Sequence, residues 1–148
     1  MKRINEYKKL FDVQPDTTLK TLKTSYRNLV KEWHPDKFQE NDDLAKEAEL
    51  KSRQIIDGYH FLVSIAPETI EANKEEYNTT ISSPIMDWKH KGLLLEITFL
   101  DGNTYEYFGV NKALYIKFSQ SDKQTRFAKR SIFNSFTYRK IKKNLQEA

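Results

Sequence analysis

Trp33-His34-Pro35-Asp36-Lys37 separates two helix-forming segments, and its reading decides the fold of the first half of the chain. Upstream of it, Leu19, Leu22, Tyr26, Leu29, Val30 and Trp33 recur at the spacing of one face of an α-helix. Thr18 precedes the run as an N-cap, because its hydroxyl can accept from an orphan N–H of the first turn. Pro35 closes the run: a proline ring crowds the residue before it and pushes His34 out of the α region. The predicted helix from Thr18 to Trp33 is ~24 Å long at the α-helical rise.

Lys20, Lys23, Arg27 and Lys31 lie on the same predicted helix. At the helical turn angle they fall within a roughly 80° arc and form one cationic stripe. Downstream, Asn41-Asp42-Asp43 supplies a cap and two carboxylates to the start of a second helix, where its macrodipole favours them. Leu44, Ala48, Ile55, Ile56, Tyr59, Leu62 and Val63 then form an apolar stripe long enough to pack against the first helix. Pro67 starts a shorter helix through Glu76, and a brief initial helix over Asn5–Phe11 brings Tyr7, Leu10 and Phe11 to the same core.

The 148 residues fit one ordinary domain or two small ones. At 38% hydrophobic and 31% charged, with 13% aromatic, the composition is that of a globular chain on the polar side. Zero cysteines exclude disulfides, thiol catalysis and Cys-based zinc sites, and suit a reducing cytoplasm. No secretory signal or run of ~20 apolar residues is present, so a cytoplasmic protein without a membrane anchor is expected. The net charge of +4 is unevenly shared: residues 1–78 carry −2 and residues 79–148 carry +6, pointing to two modules with different partners. His34 and Asp36 lack an accompanying nucleophile, phosphate cradle or metal set, and His60 and His90 stand isolated as surface residues. The expectation is therefore no enzyme, no catalytic residue, no metal and no cofactor.

Residues 5–78 resemble the J-domain, the module of DnaJ-type co-chaperones that stimulates ATP hydrolysis by a DnaK-type heat-shock chaperone. The matching positions are Tyr7, Leu10, Val13, Leu22, Tyr26, Arg27, Leu29 and Trp33, the His34-Pro35-Asp36-Lys37 loop, and Ile55, Gly58, Tyr59 and Leu62. The chain departs from the family at Ser52, where a large apolar residue is usual, and at Asn28, where a cation is common. Glu71, Glu75 and Glu76 also make its last helix acidic. The resemblance implies a chaperone-binding surface of His34, Pro35, Asp36, Lys20, Lys23, Tyr26, Arg27, Lys31 and Lys37. Its cations would steer encounter and fix register against an acidic face, and Asp36 would meet a cation near the chaperone's interdomain linker.

After the breaker-containing stretch Thr79–Pro84 the periodicity changes from helical to alternating. Leu93, Leu95, Ile97 and Phe99 point one way, Asp101-Gly102 supplies a turn, and Thr104–Val110 returns as a strand. With a first strand at Ile85–Lys89 and helices near Lys112–Ser119 and Thr125–Ile132, a small α+β domain is predicted, a three-stranded antiparallel sheet covered by two helices. The spacing of Leu95, Ile97, Phe99, Gly102, Tyr105, Tyr107 and Val110, with Phe127 and Ile132 later, resembles the KTSC domain over residues 82–140. The family's central Tyr-x-Tyr is Tyr105-Glu106-Tyr107, while the glycine expected between its last two helices is missing near Lys123, Gln124 and Thr125.

The organisation read from the sequence is a mainly α J-domain helical hairpin over residues 1–78, a linker over 79–84 and a KTSC-like α+β domain over 85–148. Its expected function is that of a co-chaperone for a DnaK-type chaperone, with the C-terminal module recruiting a client protein or other target. The alternative is an RNA-associated adaptor in which Lys129, Arg130, Arg139, Lys140, Lys142 and Lys143 neutralise phosphates. Tyr105 and Tyr107, with Phe133, Phe136 and Tyr138, would then stack on bases. Against it stands a reading of the tyrosines as core and of the Lys-rich C-terminus as a solvated helix end.

Overall fold

The computed structural model describes residues 2–38 and 42–141, which fall into two compact units, one over Lys2–Thr69 and the other beginning at Ile70. The first unit holds helices α1 (Lys2–Leu10), α2 (Leu19–Trp33) and α3 (Asp42–Ile65), with a 3-10 turn at Pro35–Phe38. Thr18 caps α2 as expected, its extended backbone letting the hydroxyl accept from Thr21 N–H at 3.2 Å. Glu68, from helix α4 (Pro67–Ala72), adds a second partner by accepting from Leu19 N–H at 2.8 Å. The cap expected at Asn41 lies outside the described residues.

Helix α1 begins earlier than Asn5 and contributes Ile4 to the core. It ends in a Schellman arrangement with Asp12 at φ 50: Asp12 N–H donates to Lys9 C=O and Val13 N–H to Lys8 C=O. Helices α2 and α3 run antiparallel, with Lys51 near Trp33 at one end and Tyr26 stacked on Tyr59 at 4.1 Å further along. Leu22, Ala48, Ile55 and Leu62 are buried between the packed helices. Of the predicted α3 stripe, Leu44 and Ile56 instead stand 45% and 39% exposed, because a straight helix buries only one strip and these two sit on its rim. Phe61 is buried instead, against Tyr7 of α1. At Gly58 an added Cβ would come within 2.8 Å of the Tyr7 ring, so glycine permits the close approach of α1.

The predicted helix Pro67–Glu76 is two helices. Asn73 leaves helical angles (φ −107°, ψ 15°), and α5 (Lys74–Ile81) then follows. Tyr77 and Ile81 of α5 belong to the core of the second unit, and Thr80 is fully buried. The stretch read as a linker over 79–84 is therefore helical through Ile81, anchored where the Thr80 hydroxyl donates to Asp101 Oδ2 at 2.8 Å.

Strands β1 (Ile85–Lys91), β2 (Leu94–Phe99), β3 (Thr104–Phe108) and β4 (Thr137–Ile141) form an antiparallel sheet in sequence order, with α6 (Lys112–Ser119) and α7 (Gln124–Ser131) between β3 and β4. The β1–β2 hairpin closes through Gly92-Leu93 with positive φ at Gly92 alone, the type II′ pattern, and Leu93 turns outward instead of joining Leu95, Ile97 and Phe99. The fourth strand occupies the C-terminal stretch read as a helix end or an RNA contact. It forms because Tyr138 alternates inward to stack on Tyr77 at 3.9 Å. The α6–α7 corner needs no glycine, since Lys123 turns it at negative φ (−134°). Among the described residues no helix is long and apolar enough to cross a membrane.

Tyr77 organises the second core. Its hydroxyl donates to the Phe133 carbonyl at 2.6 Å, which uses its one proton, so the Tyr107 hydroxyl at 3.0 Å donates to it. Desolvation by burial pushes the Tyr77 and Tyr107 hydroxyls well above the ordinary tyrosine value and Tyr105 up to about 12. The folded state thus holds protons that the unfolded chain releases around pH 10.0. This contribution is complete below that pH and is lost as pH rises above it towards the folded values, so Tyr77, Tyr105 and Tyr107 are expected to ionise only as the C-terminal unit unfolds. Tyrosinate absorbance of these residues ahead of the loss of near-ultraviolet dichroism would contradict the network. Tyr77→Phe strands the Tyr107 hydroxyl and the Phe133 carbonyl and should cost about 1–3 kcal/mol in urea unfolding.

Candidate functional site

The exposed end of the first unit is built by one backbone restriction. His34 adopts φ −61° and ψ 128°, the extended conformation that a following proline enforces, and α2 stops at Trp33. Pro35 opens the 3-10 turn, which is closed by Lys37 N–H donating to His34 C=O at 3.0 Å. Asp36 N–H donates to His34 Nδ1 at 3.2 Å, so the neutral ring carries its hydrogen on Nε2. Asp36 Oδ2 lies 3.4 Å from the same Nδ1, positioned to pair with the imidazolium if the ring is protonated. Both side chains are exposed.

Two contacts hold this turn against the helices. The Trp33 and Phe38 rings stack across it at 6.2 Å, and the Lys51 ammonium of α3 lies 5.8 Å over Trp33. Phe38 and Lys51 were not among the residues singled out from the sequence. Phe38 carries a local signal as an aromatic bracketing the turn opposite Trp33, whereas Lys51 has none, because its pairing arises only from the antiparallel return of α3. Val30, Lys31, His34, Asp36 and Lys37 line a shallow open depression at this end.

Lys20, Lys23, Arg27 and Lys31 are all exposed along α2 and lead to that depression, with Lys37 exposed at its edge. None of them joins an ion pair among the described residues. Tyr26, read as a docking residue, is half-buried and spends one ring face on Tyr59.

The second group of candidate residues is dispersed. Tyr105 and Tyr107 are 3% and 0% exposed and offer no ring face to a base. Arg139 lies opposite Glu106 across the β3–β4 pairing, with Nε 3.4 Å from Oε2, and Lys140 is paired with Glu76 of α5. Lys129 and Arg130 are exposed on α7, Arg130 lying 5.5 Å over Phe127. Phe133 is buried, Phe136 and Tyr138 are half-buried, and Lys142 and Lys143 lie outside the described residues. His90, expected as a surface residue, is half-buried, stacked on Tyr115 at 4.4 Å, and hydrogen-bonded through Nε2 to the Val110 carbonyl at 2.7 Å.

Comparison with known proteins agrees with this division. Residues 6–68 match the DnaJ domain and residues 81–136 match the KTSC domain. The chaperone protein DnaJ of Thermotoga sp. (strain RQ2) is 39% identical over 61 residues, which is 41% of this chain and 16% of that protein. The human DnaJ homolog subfamily B member 3 is 35% identical over 57 residues, 38% of this chain and 37% of that relative. The chain therefore carries an N-terminal J domain followed by a C-terminal KTSC domain. Tyr77 and Tyr138, which stack on each other, both fall outside the KTSC match.

The turn geometry is open to a direct check. Long-range nitrogen–proton correlation spectra at neutral-to-alkaline pH should report His34 Nδ1 as the unprotonated nitrogen. A population carrying the hydrogen on Nδ1 would be incompatible with the Asp36 N–H bond.

Proposed function

We propose that this protein is a co-chaperone whose J domain binds a DnaK-type heat-shock chaperone and stimulates its ATP hydrolysis, while the KTSC domain recruits a target. The observation that carries this reading is the continuity of the exposed His34 and Asp36 side chains with the cations of α2, which join no ion pair among the described residues. Lys20, Lys23, Arg27 and Lys31 steer the encounter with an acidic surface and set its register. Lys37 and Lys31 flank the depression, and Asp36 supplies one negative charge within that positive field, an arrangement suited to a single cation on the partner. His34 holds the Asp36 backbone from one side, while Tyr26 keeps the stripe in place by packing on Tyr59.

Such binding stimulates hydrolysis only if it favours the hydrolysis-competent state of the chaperone over the other states. No chemistry is required of the J domain itself. The RNA-associated reading has less support, since Arg139 and Lys140 already have acidic partners and the paired tyrosines are core residues.

Single-turnover ATP hydrolysis by a DnaK-type chaperone, with the full chain added, tests the proposal. Asp36→Asn preserves shape and removes the charge. Stimulation should fall to the basal rate with the far-ultraviolet spectrum unchanged, and full stimulation by this variant would refute the role given to Asp36. Stimulation by the unaltered chain should also decline steadily as ionic strength rises, because exposed charge contacts are screened within ~10 Å at 0.1 M salt.

A further inference from the structure

The sheet of the C-terminal domain carries both signs of charge, Lys89, Lys91, Arg139 and Lys140 standing among its acids. From β1 through β4 the domain's acids are Asp87, Glu96, Asp101, Glu106 and Asp122, and all but Asp122 belong to the strands or the β2–β3 hairpin. Glu106 faces Arg139, and Asp101 accepts from Thr80 and from the Asn103 backbone. The helical layer is instead strongly cationic: Lys112, Lys117, Lys123, Arg126, Lys129 and Arg130 accompany the single acid Asp122. All six cations are exposed, and none joins an ion pair among the described residues.

An apolar element lies within this field. Ile116 is 39% exposed on α6, on the same outward strip as Ala113 and between Lys112 and Lys117. The nearby aromatics are otherwise engaged: Phe118 is buried, Phe127 lies beneath Arg130, and Tyr115 is stacked on His90. Single-stranded nucleic acid gains much of its affinity from base stacking on exposed rings, which this layer does not supply. An acidic polypeptide with an apolar side chain uses both features present, pairing carboxylates with the cations and burying its apolar group on Ile116.

We propose that the outer face of α6 and α7 is the recruiting surface of the KTSC domain and that its occupant is an acidic protein segment carrying an apolar anchor. Ile116 receives the anchor, and the surrounding lysines and arginines set orientation and encounter rate. This deepens the recruiting role given to the C-terminal domain and rests on it, while the chaperone contact is made by other residues.

The test uses the full chain and a fluorescent synthetic peptide of Asp and Glu residues with a central Leu, followed by anisotropy. A peptide with Ser in place of Leu and a single-stranded RNA oligonucleotide serve as the other arms. The acidic Leu peptide should bind. The triple variant Lys117→Glu, Arg126→Glu, Arg130→Glu should weaken it at least about tenfold. Ile116→Ser should weaken it about fivefold, a loss reproduced by the Ser peptide on the unaltered chain. Both variants should keep the native dichroism and thermal midpoint, since every altered side chain is exposed. Absence of peptide binding, or binding unchanged by charge reversal, overturns the proposal. So does RNA binding that is tighter than peptide binding and lost on charge reversal. ATPase stimulation measured in the same series separates the two readings: failure of the unaltered chain to stimulate removes the chaperone role without touching the peptide result.

Discussion

Everything distinctive about the first domain follows from the clash between a proline ring and the residue before it. Were the helix to continue past Trp33, His34 and Asp36 would project from different faces of a cylinder, and the cations of α2 would run on without an end. Because Pro35 drives His34 to ψ 128°, the chain folds under itself. The His34 ring then reaches the Asp36 backbone, and the carboxylate stands beside it, 3.4 Å from Nδ1. The contacts of Trp33 with Phe38 and Lys51 convert this local bend into a fixed surface feature. The stripe of cations is exposed for a complementary reason: Leu22 and Tyr26 turn the other side of α2 onto α3.

The second domain depends on a different kind of constraint, a buried polar chain that must be completed. Tyr107 brings a hydroxyl into an apolar interior, where an unmet hydrogen bond is costly. Tyr77 meets it and passes the requirement on to the Phe133 carbonyl. One helix preceding the sheet, the corner after α7 and the inner strand β3 are thereby tied through two hydroxyls. Tyr138 of β4 covers the Tyr77 ring from the other side. The structural domain consequently extends beyond the KTSC match at both ends.

Much of this organisation was legible in local pattern. The α2 face, its Thr18 cap and its proline stop depend on neighbours within one or two turns, and they appear where the spacing placed them. The same holds for the inward Leu95, Ile97 and Phe99 of β2 and for α6, whose Asn111 cap accepts from Leu114 N–H. Partnership between distant residues was less legible. Arg139 and Lys140 read as free cations until Glu106 and Glu76 were brought beside them. Tyr77 carried no signal in the sequence, because its ring finds its partners only against Tyr105 and Tyr138 of distant strands.

The sequence by itself determined two modules, the helical hairpin with its proline-terminated cationic helix, and the alternating strands that follow. These are consequences of steric rules and periodicities acting over a few residues. Only the tertiary structure decided that Thr79–Ile81 is part of a helix serving the second core, that the C-terminal stretch is a fourth strand, and that Arg139 and Lys140 are paired with acids. Each of these depends on packing between segments remote in the chain. There the burial of a tyrosine ring or the pairing of a charge outweighs the weak local preference of the residues that supply it.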